Sequence, residues 1–355
     1  MINVANAPSE RAKDLLKALS EGSGVSGYES MLEPLVSATF RTLADEVSVD
    51  GFGNVYALKK GSQGTYKVML AAHMDEVGLV VTDIDARGFL RFTDIAGVDQ
   101  RTLMSQEVII HGRREVPGVI GTMPPHLLKA SEAGRALHMD QLGIDVGMKG
   151  EEIREVIQIG DIATFKRHTY ELLNQTFAGK SFDDRAGVVV MAVCLEELAK
   201  RRFRHDVICV ATTQEEVGLR GAATSAFALH PDIGIAIDVT HASSPDTNVS
   251  IELGKGSAIA LGANIHPAIY KHFLESAQAA HLPYQLDPIP GRSGTDAWAM
   301  QVSQAGIPTG LLSIPLRYMH TSVETLDLMD VVHSGKLLAE FIASLPENLE
   351  EFLCF

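Results

Sequence analysis

The chain has 355 residues and a net charge of −15, with 46% hydrophobic and 21% charged residues, ordinary proportions for a globular protein longer than a usual single domain. Two domains are therefore expected, with ample length to bury a core. The negative balance, with no Lys/Arg cluster to offset it, argues against nucleic acid as a partner, and no apolar run reaches the roughly 18 residues of a membrane span.

"MINVANAPSERAKDLLKALS" lacks the basic-then-apolar order of a secretion signal, so a cytoplasmic location is expected. "KVMLAA" (67–72) is the first short apolar run of the kind that forms a buried strand, and it leads into His73-Met74-Asp75. From about 77 to 170 the pattern changes. "GLVVTDID", "GFLRFTDI", "EVIIHG", "VPGVIGT" and "DIATF" are short and partly alternating, with Gly/Pro/Asp turns between them, which suits a small β domain or barrel. A second His-Met-Asp stands inside this block, after "PPHLLKASEAGRAL" and with no strong strand before it. His138 and Asp140 are expected to be surface or turn residues.

The α/β pattern then resumes. "SFDDRAG" places Asp183 and Asp184 at the start of "RAGVVVMAVCLEELAKRRF" (185–203), which is apolar on nearly every face, as a helix inside a layered structure would be. "DVICVATT" (206–213) and "DIGIAID" (232–238) read as further buried strands, leading into Gln214-Glu215-Glu216 and ending in Asp238. "HPAIYKHFLESAQAAH" (266–281) suits a covering helix. "GRSGTDAW" holds Ser293, Thr295 and Asp296, which read equally well as a polar turn. "IPTGLLSI" (307–314) leads through "PLRYMH" to His320, and "DVVHSGKLLAEFIASL" (330–345) is the last covering helix. The fold class expected is α/β, a mostly parallel but mixed sheet sandwiched by helices. Residues 1–76 and 171–355 form its discontinuous main domain, and 77–170 an inserted β domain.

In open α/β sheets, ligands bind beyond the carboxyl ends of the strands. Separate segments bring His73, Asp75, Asp183, Glu215, Glu216, Asp238 and His320 to that edge. Each alone would be an ordinary cap or satisfied polar group, but so many carboxylates repel one another unless a cation lies among them. The three cysteines, Cys194, Cys209 and Cys354, form no paired framework, so a metal would be held by nitrogen and oxygen, which suits zinc, cobalt or manganese. Two such ions would need a shared carboxylate, for which Asp183 is a candidate, and would activate water while polarising a carbonyl. In the pair Glu215-Glu216, one carboxylate would bind metal and the other accept the proton of the water. Asp75, two residues after His73, would orient that imidazole. "ELGKGSA" (252–258) lacks P-loop spacing, and neither GxGxxG after a strand nor GxSxG occurs. A glycosidase would need paired carboxylates but not the histidines.

In order along essentially the whole chain, "AAHMDEVG", "SFDDRAG", "TTQEEVGLRGA", "AIDVT", "SGTDAWA" and "PLRYMH" resemble the successive motifs of the dinuclear metallo-aminopeptidases that include glutamyl aminopeptidase and the tetrahedral (TET) aminopeptidases. The resemblance implies a catalytic α/β domain interrupted by a small β-barrel-like or PDZ-like dimerisation domain. It implies one divalent ion on His73, Asp183 and Asp238 and a second on Asp183, Glu216 and His320, with zinc or cobalt favoured and manganese next. Glu215 would be the general base and Asp75 its supporting acid, and the Asp183–Asp184 peptide would be cis. Many relatives carry Asn where this chain has Asp184, which adds a negative charge beside the bridge. Short peptides as substrate and self-association into dimers and a tetrahedral dodecamer are also implied.

A dinuclear carboxypeptidase or N-acyl amino-acid deacylase is the alternative hydrolase, although the position of the inserted domain and "QEEVGLRGA" favour the aminopeptidase. An inactive metal-binding scaffold is the alternative of another class, and the presence of Glu215 counts against it. Acidic, aliphatic and basic first residues all remain open as the preferred substrate. Lys255 and Arg292 would favour an acidic one, but an isolated Lys or Arg is more often a solvated surface charge.

Overall fold

The computed structural model describes residues 8–123, 126, 137–245 and 247–354, so most of "PPHLLKASEAGRAL" lies outside the described residues. Eight strands form the central sheet, in the order Glu46–Val49, Val55–Lys59, Asp206–Thr212, Lys67–His73, Ile233–His241, Thr309–Leu316, Ser257–Gly262 and Tyr284–Ile289. The four inner strands, from Asp206–Thr212 to Thr309–Leu316, run parallel. Antiparallel pairing joins the first two strands to them on one side and Ser257–Gly262 on the other, so the sheet is mixed, as expected.

Successive side chains of a strand point to opposite faces, so a strand covered on both faces must be apolar at every position. In Lys67–His73, Val68, Leu70 and Ala72 join a core built with the helices Pro8–Glu21, Phe182–Leu198 and Leu328–Ser344. Met69 and Ala71 join a second core with Arg220–Leu229 and Asp296–Gln301 on the opposite face. The continuous apolar run in the sequence is the consequence. Phe182–Leu198 is buried at every position up to Leu195, which explains why it is apolar all round.

Between these parts six strands close into an antiparallel barrel, in the order Gly78–Ile84, Phe89–Ile95, Gly143–Asp145, Glu115–Gly121, Glu107–His111 and Ile162–Phe165. It has its own core, including Leu79, Leu90, Ile110, Ile120 and Ile144. Along Glu115–Gly121 the inward residues are Val116, Gly118 and Ile120. Gly118 is needed there, because a Cβ would lie 2.7 Å from the Ile144 side chain and 3.0 Å from Ile110. His138 and Asp140 are exposed at a short 3-10 turn, Met139–Gln141, on this unit.

The chain enters the barrel after Glu76, whose backbone pairs with Val25, and returns at Thr169, whose amide donates to Glu21 Oε1 (2.9 Å). Both crossings thus rest on one segment, residues 20–26. Glu76 is buried there, accepting from Gly24 N (3.0 Å), Lys180 Nζ (2.6 Å) and Ser181 Oγ, with Arg185 Nη2 at 3.1 Å. Burial opposes its charge, but Arg185 and Lys180 outweigh it and hold the carboxyl down at about 2. Among the described residues no helix is long and apolar enough to cross a membrane.

Candidate metal centre

The parallel strands end side by side. Thr212 is paired with His73, and two residues beyond the last paired positions, Ala71 and Ala236, stand His73 and Asp238. Each strand then hands over to a turn. Gln214, at φ 55°, turns the chain so that Glu215 and Glu216 come back over the edge. His320 lies four residues past the end of Thr309–Leu316, on a loop where it and Tyr318 have φ near 60°. Asp183 and Asp184 precede the regular turns of their helix with non-helical angles, and the peptide bond between them is cis, as the resemblance implied.

Asp183 lies between the two imidazoles. Its Oδ1 is 3.0 Å from His73 Nε2 and its Oδ2 is 3.3 Å from His320 Nε2. Glu216 Oε1 is also 3.3 Å from His320 Nε2, and Glu215 Oε2 is 3.8 Å from His73 Nε2. His73, Asp183 and Asp238 form one triad of ligand atoms within 4.8 Å of one another, and Asp183, Glu216 and His320 form another. His73 Nδ1 lies 3.2 Å from the Asp75 carbonyl, and the Asp75 carboxylate is slightly farther, at 3.5 Å. That carboxylate reaches across to the neighbouring turn, accepting from Glu215 N (3.1 Å), Glu216 N (3.3 Å) and Ser26 Oγ (2.6 Å).

The cluster crowds several buried ionisable groups together. Burial first, then Asp238, Asp296 and Glu216, push Glu215 up to about 10 against the pull of His73. Burial raises Asp238 and Glu216 as well, with Asp183 adding to both. Hydrogen bonds to Asp183 and Glu216 push His320 up to about 11. The protein's own groups thus balance their charges only by protonating imidazoles and carboxyls. Cations would remove that need and leave neutral ring nitrogens as ligands. With His73 Nδ1 turned to a carbonyl and Nε2 facing inward, and no cysteine in either triad, each triad offers imidazole nitrogen and carboxylate oxygen, donors that could hold a metal ion.

Several contributors escaped the sequence pattern. Glu324 is buried and accepts from Phe182 N (2.7 Å), Asp183 N (3.1 Å) and His320 N (2.9 Å), so one carboxylate holds the backbone on both sides of the centre. Asp184 accepts from His73 N (3.2 Å). Glu29 accepts from Gln214 N (3.0 Å). Asp296, which could have been part of a polar turn, is buried and accepts from Thr212 Oγ1 (2.6 Å). A cleft of about 350 Å³ opens over the centre, with Ser293 and Thr295 on its wall. Neither Lys255 nor Arg292 lines it: Lys255 is exposed, and Arg292 lies 5.0 Å from the centroid of the Trp298 ring.

Known proteins resemble this chain along most of its length. The sequence profile of the M42 glutamyl aminopeptidase family matches residues 53–337. A lysyl aminopeptidase from Pyrococcus furiosus is 40% identical over 339 residues, covering 94% of this chain and 97% of its own. The structure of an aminopeptidase from the archaeon Desulfurococcus kamchatkensis superposes with a TM-score of 0.90 at 39% identity and 97% coverage of both chains. The TET1 peptidase of Pyrococcus horikoshii, which can assemble into a tetrahedron or a large octahedral shell, gives a TM-score of 0.84 at 31% identity, covering 94% of this chain and 100% of that one.

Proposed function

The chain belongs to the M42 glutamyl aminopeptidase family, and from that starting point we propose that it is a metal-dependent aminopeptidase removing the first residue from short peptides. The observation that carries the proposal is the position of Asp183, whose two oxygens face two different imidazoles while Asp238 and Glu216 complete a triad on either side. His73, Asp183 and Asp238 would hold one divalent ion, and Asp183, Glu216 and His320 the other, with zinc or cobalt the best match and manganese next. Bound there, such ions supply Lewis acidity to a water and to the scissile carbonyl.

The chain's own residues do the rest. Glu215 lines the cleft without belonging to either triad, so its carboxylate is free to accept the proton of the attacking water and return it to the departing amine. Asp75 fixes that carboxylate indirectly, by accepting the amides of Glu215 and Glu216, while its carbonyl faces the imidazole of His73. Residues 1–76 and 171–355 serve as the catalytic domain and 77–170 as an inserted dimerisation domain. Dimers and a tetrahedral dodecamer are the assemblies proposed, supported by the likeness to the TET1 peptidase.

Glu215→Gln keeps every metal ligand and removes the base. The expected result is full metal content by mass spectrometry with kcat lowered about 10²–10⁴-fold. Near-normal turnover in the metal-loaded variant would refute the assignment.

A further inference from the structure

The wall of the cleft carries information about which first residue it accepts, an inference that rests on the aminopeptidase reading above. Past the centre itself, the wall includes Leu219, Val239, Thr240, His241 and Met319, together with Ser293 and Thr295. Among the described residues no Lys or Arg lines the cleft, and its only carboxylates are Asp183, Glu215, Glu216 and Asp238. Thr240 stands two residues beyond Asp238 on one strand, so the two share a face. Leu219 and Met319 are both half-buried, so each leaves apolar surface for a ligand to cover.

Both signs of charge fare badly here. Three of the four acids are already engaged, Asp183 by two imidazoles, Glu216 by His320 and Asp238 by the amide of Val239 (2.7 Å). The fourth, Glu215, is the base of the proposed reaction, so a lysine side chain entering the cleft would lose water and could pair only by occupying that base. An acidic side chain would face those carboxylates with no Lys or Arg on the wall to answer them, and past the centre only the exposed imidazole of His241, since Arg317 donates to the Ser243 carbonyl (2.6 Å) and Arg292 stacks on Trp298. The hydroxyls of Ser293 and Thr295 are committed, Thr295 Oγ1 to Ser293 Oγ (3.0 Å) and Ser293 Oγ to Asn264 Oδ1 (2.6 Å). A neutral apolar side chain is the one that gains from this wall, and the unbranched thioether of Met319 can adapt to its shape.

We propose that the cleft selects a neutral aliphatic or thioether first residue, leucine or methionine, over basic and acidic ones. That preference would separate this chain from the lysyl aminopeptidase to which it is similar.

The test is hydrolysis of Leu, Met, Ala, Lys and Glu p-nitroanilides, with N-acetyl-Leu p-nitroanilide as the blocked control, by enzyme supplied with zinc or cobalt. Leu and Met are expected to exceed Ala, Lys and Glu by at least about tenfold in kcat/KM. Thr240→Glu, and Leu219→Glu should the strand variant fail to fold, should raise the Lys-to-Leu ratio by at least about tenfold. Calorimetry with the free products leucine, lysine and glutamate should show leucine binding tightest, independently of turnover. Lys or Glu as the preferred substrate or the tightest product overturns the proposal and leaves the aminopeptidase reading standing. Cleavage of the blocked substrate alone refutes that reading and the side-chain preference with it.

Discussion

Asp75 stands two residues after His73, yet its carboxylate spends its oxygens on a different strand's turn, accepting the amides of Glu215 and Glu216 and the hydroxyl of Ser26. Asp75→Asn replaces one acceptor oxygen with a donor facing donors, so the turn that carries the base must shift. A fall in kcat of roughly 10–100-fold is expected, in the range of lost outer-shell partners. Ser26→Ala removes a single donor and should cost less. Steady-state kinetics on both variants checks the order, and equal losses would show that the amide contacts do not matter. The sequence pointed to the candidate ligands, since His73, Glu216, Asp238 and His320 come at or after recognisable apolar runs and Asp183 opens one. It did not place Ser26, Glu29 or Glu324, which come from segments with no pattern of their own and act on backbone amides far along the chain.

At the level of elements, the four inner strands were legible because burial on both faces demands an unbroken apolar run. The outer strands were not: Glu46–Val49 is half to fully exposed, and Tyr284–Ile289 alternates polar residues and includes Pro288. The helix Pro267–Ala279 was legible, but the role of its His272 was not. The ring packs edge-on against Phe341 (4.9 Å) and Phe352 (5.3 Å), with Nε2 3.2 Å from the Phe341 carbonyl, and burial holds its pKa below the ordinary value. The unfolded imidazole gains its proton near pH 6.5, before the folded one does, so His272 favours unfolding as pH falls through that value and levels off below its folded pKa. His272→Gln should flatten this part of the stability profile, measured as urea midpoints at about pH 7.5 and about pH 5.5. A wild-type slope in the variant would exclude His272 as a contributor.

For the whole molecule, the barrel is the unit with a continuous sequence and a private core, while the α/β part that carries the candidate site is assembled from both sides of it. Light scattering should therefore report an oligomer, and a monomer would refute the assembly proposed for the barrel. Glu76 and Lys180, held at 2.6 Å, tie the two crossings beside the centre, so the insertion hardly separates its halves in space. It does separate them in time. His73 meets Asp183 across 110 residues of chain, and at roughly 5–20 residues per second a ribosome needs on the order of 5–20 s to make up that difference. The barrel's strands are all made within that interval, before either triad has received the carboxylate it shares. Each candidate triad is thus completed, by order of synthesis, only after the barrel segment has been made.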